Sequence, residues 1–376
     1  MAEFTVALDA RYLAGEAKGI GRYLHTLLAG MSALPAPPAF VLVSDRELEA
    51  AYPALSLKAV VATGRPVYAW EQFVLPRVLR RLGADLFHAP GNALPLEPPS
   101  PTVLTLHDTM MFERRFHTFA ANRYYVYQSW VLKRAARRCG AIITVSRTSA
   151  GDIARRLGPR AAARVTVIEE AVDPVFFEKR TPAELAAFRE RLGLPARYML
   201  HLGAAFPRKN TRLTVEAFGR VAADAAVPDL VIGGVAGNDE ATVRGWASEA
   251  GVAARVRVRP YLPRDDHALL VAAAEMLLYP SAYEGFGLPA LEAMAVGVPV
   301  VAARRGALPE TCGDAAFYVE PEVDELAAVM RFLATDEGER RKLAAAGGEH
   351  VKKFSPRRMA SRTLEVYRAV LAATKS

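Results

Sequence analysis

Thirteen short apolar runs recur along this chain, most of them unbroken by polar residues, with longer helix-patterned stretches between them. The first half holds runs at 4–8, 40–43, 58–61, 85–88, 103–106, 142–145 and 165–168. The second holds runs at 198–202, 230–232, 256–258, 276–279, 298–301 and 317–319. A strand with one wet face alternates apolar and polar residues, whereas a continuous run marks a strand covered on both faces. Strands alternating with helices read as βαβ units, so the expected class is α/β with parallel sheets.

At 376 residues the chain is too long for one ordinary core, and two domains are expected. The break falls where Asp173-Pro174 closes the first set of runs and a charged helix at 180–193 follows, with Thr181 as its N-cap. The sequence therefore predicts an N-terminal Rossmann-like domain over 1–172, a linker over 173–196, and a second Rossmann-like domain over 197–354. A closing helix is predicted over 355–376, beginning at Ser355-Pro356.

Composition narrows the class. Hydrophobic residues make up 52% and charged residues 23%, as in a folded globular protein. No uncharged apolar run reaches the ~18 residues that a spanning helix needs. The N-terminus lacks the basic, apolar and small-residue order of a signal peptide. Cys139 and Cys312 are the only cysteines, too few for a metal cluster or a disulfide framework, and a reducing cytoplasm is the expected location. The net charge of +8 is uneven: residues 101–165 carry 12 Lys/Arg against 3 Asp/Glu. Such a face suits an anionic partner, or is simply a solvated surface.

The densest chemistry lies in 276–310, MLLYPSAYEGFGLPALEAMAVGVPVVAARRGALPE. A strand ends at Pro280, a loop carries Glu284, Gly285, Phe286 and Gly287, and a helix opens at Leu288-Pro289 and carries Glu292. A glycine loop and a helix N-terminus at the carboxyl edge of a parallel sheet form a phosphate-binding arrangement. Glu284 and Glu292 are carboxylates suited to accept pairs of hydroxyl hydrogen bonds from a diol. A second turn, His201-Leu202-Gly203-Ala204-Ala205-Phe206-Pro207-Arg208-Lys209, brings a cation pair to a strand-to-helix junction, a cradle for a diphosphate. The third segment, TVLTLHD at 102–108, ends a strand on His107-Asp108, with Asp108 free to cap the next turn. The fourth, Lys18-Gly19-Ile20-Gly21-Arg22-Tyr23, is either a plain turn or a place where backbone approaches a phosphate.

The 276–310 segment resembles the signature of retaining glycosyltransferase family four, and the likeness extends from the Gly-Ile-Gly-Arg-Tyr loop to the closing helix. The resemblance implies the GT-B fold, two Rossmann-like domains whose parallel sheets face across a cleft, the N-terminal one binding the acceptor. It implies that Glu284 holds the donor sugar and Glu292 the ribose hydroxyls, within a donor site that includes Gly203, Gly285, Phe286, Gly287 and Leu288. It implies that Arg208 and Lys209 steady the leaving nucleotide diphosphate and that His107 sits beside the donor sugar, its ring able to bond a hydroxyl. Gly19 and Gly21 would lie near the donor phosphates, and Tyr261 would frame the base. Where many members carry a basic residue after the glycine, this chain has Ala204, which leaves a one-place shift in the basic roles open.

The expected partners are a nucleotide-sugar donor, first GDP-mannose, and a glycan or lipid-linked oligosaccharide acceptor, with peripheral contact to an anionic membrane. UDP-glucose, UDP-N-acetylglucosamine and dTDP-rhamnose stay open as donors. No Asp-x-Asp-like pair suits a metal on the diphosphate, so neither metal nor other cofactor is expected. A nucleotide-sugar epimerase on the same fold is the rival enzyme. No recognisable motif supports nucleic-acid binding.

Overall fold

The computed structural model describes residues 3–14, 19–48, 55–64, 66–98, 101–113, 122–235 and 237–375. Lys18, Arg114 and Arg115, part of the loop and the basic face singled out above, lie outside the described residues. The chain divides into two compact units, one comprising 1–171 with 354–376, the other 172–353.

The first unit is a parallel sheet of β1 (Thr5–Asp9), β2 (Ala39–Ser44), β3 (Leu57–Val61), β4 (Leu86–Ala89), β5 (Thr102–Thr105), β6 (Ala141–Thr144) and β7 (Val165–Val167). Its order is β3-β2-β1-β4-β5-β6-β7. Alternate residues of one strand feed different cores, as a doubly covered sheet demands. Val6 and Leu8 join the cluster that contains Leu24, Leu27 and Leu28 of the helix Gly19–Ser32. Ala7 joins the opposite cluster with Leu75, Leu79 and Leu132. The terminal helix Pro356–Lys375 adds Ala360, Leu364, Tyr367 and Val370 to the first of these cores. Gly30 lies against the Pro356 carbonyl with no space for a Cβ, so the two helices approach backbone to backbone there.

The second unit repeats the plan with β8 (Tyr198–Leu202), β9 (Asp229–Gly233), β10 (Val256–Val258), β11 (Met276–Tyr279), β12 (Val300–Ala303) and β13 (Phe317–Val319), ordered β10-β9-β8-β11-β12-β13. All thirteen predicted runs lie on these strands. β12 begins two residues later than its apolar run, because Val298 N–H instead closes the preceding helix on the Ala293 carbonyl at 2.9 Å.

The segment 173–196, expected as a linker carrying a helix, falls within this second unit. Its helix Pro182–Arg191 is closed by a capping box between Thr181 and Glu184, and Arg191 pairs with Asp266 at 2.6 Å. At its start, Arg264 Nε donates to Asp173 Oδ2 at 2.7 Å.

Each sheet reverses its strand order once, between β1 and β4 and between β8 and β11. Sheets of this kind bind ligands beyond the carboxyl ends of the strands at such a reversal.

Candidate active site

At the β8/β11 reversal two loops are stitched together. β8 runs into Gly203, where a Cβ would meet His201 Nε2 at 2.8 Å and Lys209 Cβ and Thr211 Oγ1 at 3.0 Å. The turn Pro207–Lys209 follows, then Asn210 in the left-handed region at φ 53°, a conformation asparagine tolerates. Asn210 Nδ2 donates to the Pro280 carbonyl at 2.7 Å, and Ala282 N–H donates to the Arg208 carbonyl at 2.7 Å. These two bonds fix the basic turn to the loop that leaves β11.

Their product is a charge cluster. Arg208 Nη1 and Lys209 Nζ both donate to Oε1 of Glu284, each at 2.7 Å. Lys209 also donates to the Tyr279 hydroxyl at 3.0 Å and lies 4.8 Å from that ring's centre. Burial pushes the Glu284 carboxyl up, but Lys209 and then Arg208 outweigh it and hold it down at about 2. Tyr279 is fully buried, and burial with the Glu284 charge raises its phenol well above the ordinary range.

The backbone under Glu284 is as constrained as its side chain. Gly306, at φ +56°, would place a Cβ 2.8 Å from the Glu284 carbonyl oxygen, and Ala307 N–H donates to that oxygen at 3.0 Å. Gly287 is the left-handed N-cap of the helix Leu288–Ala295. Phe286 and Leu288 are buried, so what 285–288 offer a ligand comes mostly from backbone. Glu292, in that helix, is buried, and its Oε2 lies 3.2 Å from His267 Nε2. The His267 ring packs edge-on against Phe176. Farther along the sheet, Tyr261 is exposed and its ring lies over Gly234.

In the first unit, His107 follows β5. Its Nδ1 lies 2.7 Å from Glu170 Oε1 and its Nε2 2.8 Å from the Pro90 carbonyl oxygen. Both ring nitrogens thus have protein partners, and a bond from the ring to a sugar hydroxyl requires exchanging one. Asp108 accepts from Met110 N–H at 2.8 Å, a local bond at the start of the turn Met110–Phe112, whose N-cap is Thr109. Gly19 opens the helix Gly19–Ser32 with nothing within 4 Å of a Cβ, while Gly21 is buried in it. At the β1/β4 reversal, Arg11 donates to Asp9 at 2.7 Å and to Glu71 at 3.2 Å, with its guanidinium 4.3 Å from the Trp70 ring centre.

Sequence reading did not identify Tyr279, Glu170, His267 or the Arg11 cluster. Asp9-Ala10-Arg11 at the end of the first run was a visible signal, but the partners of the other three are remote in sequence. Tyr124, Tyr125, Tyr127 and Trp130 are aromatics at a helical spacing that suits core more often than an acceptor platform, yet Trp130 is 57% exposed and Tyr127 partly so. The side chains of Tyr124 and Tyr125 lie outside the described residues. Among the described residues no group of three or more His, Cys, Asp or Glu could hold a metal ion, and no helix is long and apolar enough to cross a membrane.

The whole fold matches solved glycosyltransferase-type structures. Sucrose-phosphate synthase from Thermosynechococcus elongatus superposes with a TM-score of 0.79 at 21% identity, covering 99% of this chain and 100% of that one. The Anabaena protein HepE in complex with UDP-glucose gives 0.77 at 19% identity, covering 98% and 100%. At these identities the likeness defines the class of fold, GT-B. Residues 17–176 match the family model Glycosyltransferase Family 4, and residues 185–350 match Glycosyl transferases group 1. The O-antigen chain mannosyltransferase B of Escherichia coli is 30% identical over 287 residues, 75% of this chain and 74% of its own length. The MMP alpha-(1->4)-mannosyltransferase of Mycolicibacterium hassiacum is 32% identical over 284 residues, 72% and 66% of the two chains. The chain belongs to glycosyltransferase family 4, and it is a hexosyltransferase.

Proposed function

We propose that this enzyme moves a hexose, mannose from GDP-mannose in the first instance, to a hydroxyl of a glycan or lipid-linked oligosaccharide with retention of anomeric configuration and without a metal. The observation that carries the reading is the single Glu284 oxygen shared by Arg208 and Lys209. A diphosphate arriving at the two cations competes with Glu284 for them. As the phosphates dock, the carboxylate is released to accept hydrogen bonds from the sugar. One exchange therefore couples recognition of phosphate and sugar, and the two cations neutralise the charge that develops as the anomeric C–O bond breaks.

In this reading Glu292 accepts the two ribose hydroxyls, Tyr261 borders the base, and backbone near Gly19 and Gly21 meets the phosphates. The acceptor oxygen bonds to the anomeric carbon on the face the phosphate leaves. Its proton passes to the departing phosphate oxygen, so no separate base is required. The mannosyltransferase relatives favour mannose, while the UDP-glucose complex of HepE keeps a UDP-linked donor as the alternative.

Transfer from labelled GDP-mannose in EDTA, with the product's anomeric configuration read by NMR, tests this. An α-linked product formed without metal supports it. An inverted product, an absolute metal requirement, or a changed sugar nucleotide formed without acceptor overturns it, the last in favour of an epimerase.

An anionic membrane is the proposed location of the acceptor. Phe73 is 59% exposed, and exposed Arg77, Arg80 and Arg81 follow it at helical spacing. Val126 and Trp130 are likewise followed by exposed Lys133, Arg134 and Arg137. Aromatic and basic residues on one face suit a headgroup region with negative charge. Sedimentation with phosphatidylglycerol vesicles should fall in Trp130→Ser; no binding at low salt would rule the membrane out.

A further inference from the structure

Two histidines of the first unit lie close together, His88 fully buried and His107 nearly so, yet their surroundings impose opposite proton counts. His88 places Nε2 2.7 Å from Thr105 Oγ1 and Nδ1 2.7 Å from the Tyr367 hydroxyl. Hydroxyls both give and accept, so a neutral ring satisfies both bonds. Burial, then the neighbouring His107, drives His88 down to about 3.

His107 has no such freedom. Its Nδ1 faces a carboxylate oxygen of Glu170 and its Nε2 faces the backbone carbonyl of Pro90. The Pro90 carbonyl can only accept, and so can an ionised carboxylate, so beside an ionised Glu170 both short contacts are hydrogen bonds only if both ring nitrogens carry hydrogen. A neutral ring would leave one lone pair pressed against an acceptor in a buried site, a costly arrangement. The remaining backbone groups of His107 are also fixed: its N–H donates to Asn92 Oδ1 at 2.9 Å and its carbonyl accepts from Ser149 Oγ at 3.1 Å. Tyr23 closes the ring edge-on at 4.7 Å, with its own hydroxyl bonded to Thr105.

We propose that Glu170 is a positioning residue for the transfer reaction, and that it holds His107 as a doubly protonated imidazolium that acts as a fixed positive charge and not as a base. This rests on the reading that His107 stands beside the donor sugar. The groups facing the ring are Glu170, Asp108, His88 and Tyr23. Burial works against the cation, but the Glu170 bond and charge, the Pro90 carbonyl and Asp108 together raise it above the ordinary histidine value. A ring already carrying both protons cannot take one from the acceptor hydroxyl. That agrees with the proton leaving on the phosphate oxygen.

The experiment has two arms. In the first, the full chain labelled with 15N-histidine is titrated by NMR, and His107 is assigned with His107→Gln. The wild-type ring should still show two N–H signals above the ordinary histidine value near 6.5, where a free ring has lost one. Glu170→Gln should lose one of them near neutrality, while Glu170→Asp keeps both. In the second arm, kcat of Glu170→Gln should fall about tenfold or more at pH 8 and recover toward about pH 5.5, with KM for the donor little changed. Glu170→Asp should follow the wild-type profile. A singly protonated wild-type ring at pH 7, or superposable profiles for wild type and Glu170→Gln, would overturn the proposal. Should Glu170→Gln fail to fold, the wild-type titration and Glu170→Asp still decide it. A chain that transfers no sugar at all refutes the functional reading instead, and the NMR arm separates the two failures.

Discussion

Nζ of Lys209 donates to Oε1 of Glu284 at 2.7 Å, and Arg208 donates to the same atom at the same distance. Removing the carboxylate and removing the cations should therefore act in opposite directions on nucleoside diphosphate binding. Arg208→Ala and Lys209→Ala are each expected to weaken it by about tenfold to a hundredfold, the usual worth of a charge-assisted bond. Glu284→Gln removes the competitor, so binding should hold or tighten while kcat falls by about a hundredfold or more. Calorimetry with nucleoside diphosphate beside turnover checks both. Weaker nucleotide binding in Glu284→Gln would mean the carboxylate supports the phosphates and does not compete with them.

The same cluster links stability to acid. The folded Glu284 carboxyl sits at about 2, below its ordinary value near 4.5. Its stabilisation is thus complete above pH ~4.5 and is lost as pH falls toward ~2, a contribution on the order of 3 kcal/mol. Glu284→Gln should lack this part of the acid limb. Urea midpoints measured from pH 6 downward check it, and equal slopes for both proteins would contradict it.

Two glycines separate a structural role from a ligand role. Gly306→Ala forces a Cβ against the Glu284 backbone at positive φ and should cost about 1–3 kcal/mol. Gly19→Ala meets nothing within 4 Å and should leave stability within about 0.5 kcal/mol of wild type. If backbone near Gly19 meets the phosphates, the donor KM should still rise. An unchanged KM returns this loop to a plain helix start.

His267 braces Glu292 from the preceding helix, Arg264–Ala272. Truncation to Ala should raise donor KM several-fold with little change in kcat, because Glu292 is proposed to hold the nucleotide and not the reacting carbon. A fall in kcat alone would place Glu292 nearer the chemistry.

How much was legible divides along sequence distance. The strands were readable because burial on both faces leaves a local trace, as in Met276–Tyr279 and Tyr198–Leu202, whose predicted bounds the structure keeps. The capping box at Thr181 was readable for the same reason, since its partner Glu184 is three residues away. Glu284 and Glu292 were readable as a motif. Their pairings were not: Arg208 and Lys209, read as a diphosphate cradle, are 76 and 75 residues from Glu284, and His267 is 25 from Glu292. Glu170, 63 residues from His107, sits in a stretch with no motif of its own, and only the parallel placement of β5, β6 and β7 brings it to the ring. The exposure of Trp130 escaped prediction because an aromatic at helical spacing looks the same whether it faces core or solvent.

The most direct measurement is a thermal-shift panel of sugar nucleotides in EDTA, on wild type and Glu292→Ala. A ligand at 100 times its dissociation constant stabilises by about 2.7 kcal/mol, enough to read. One sugar nucleotide should raise the wild-type midpoint without metal, and Glu292→Ala should lose the rise. No shift for any donor, or a shift that appears only with metal, would contradict the nucleotide-sugar site proposed at the β8/β11 reversal.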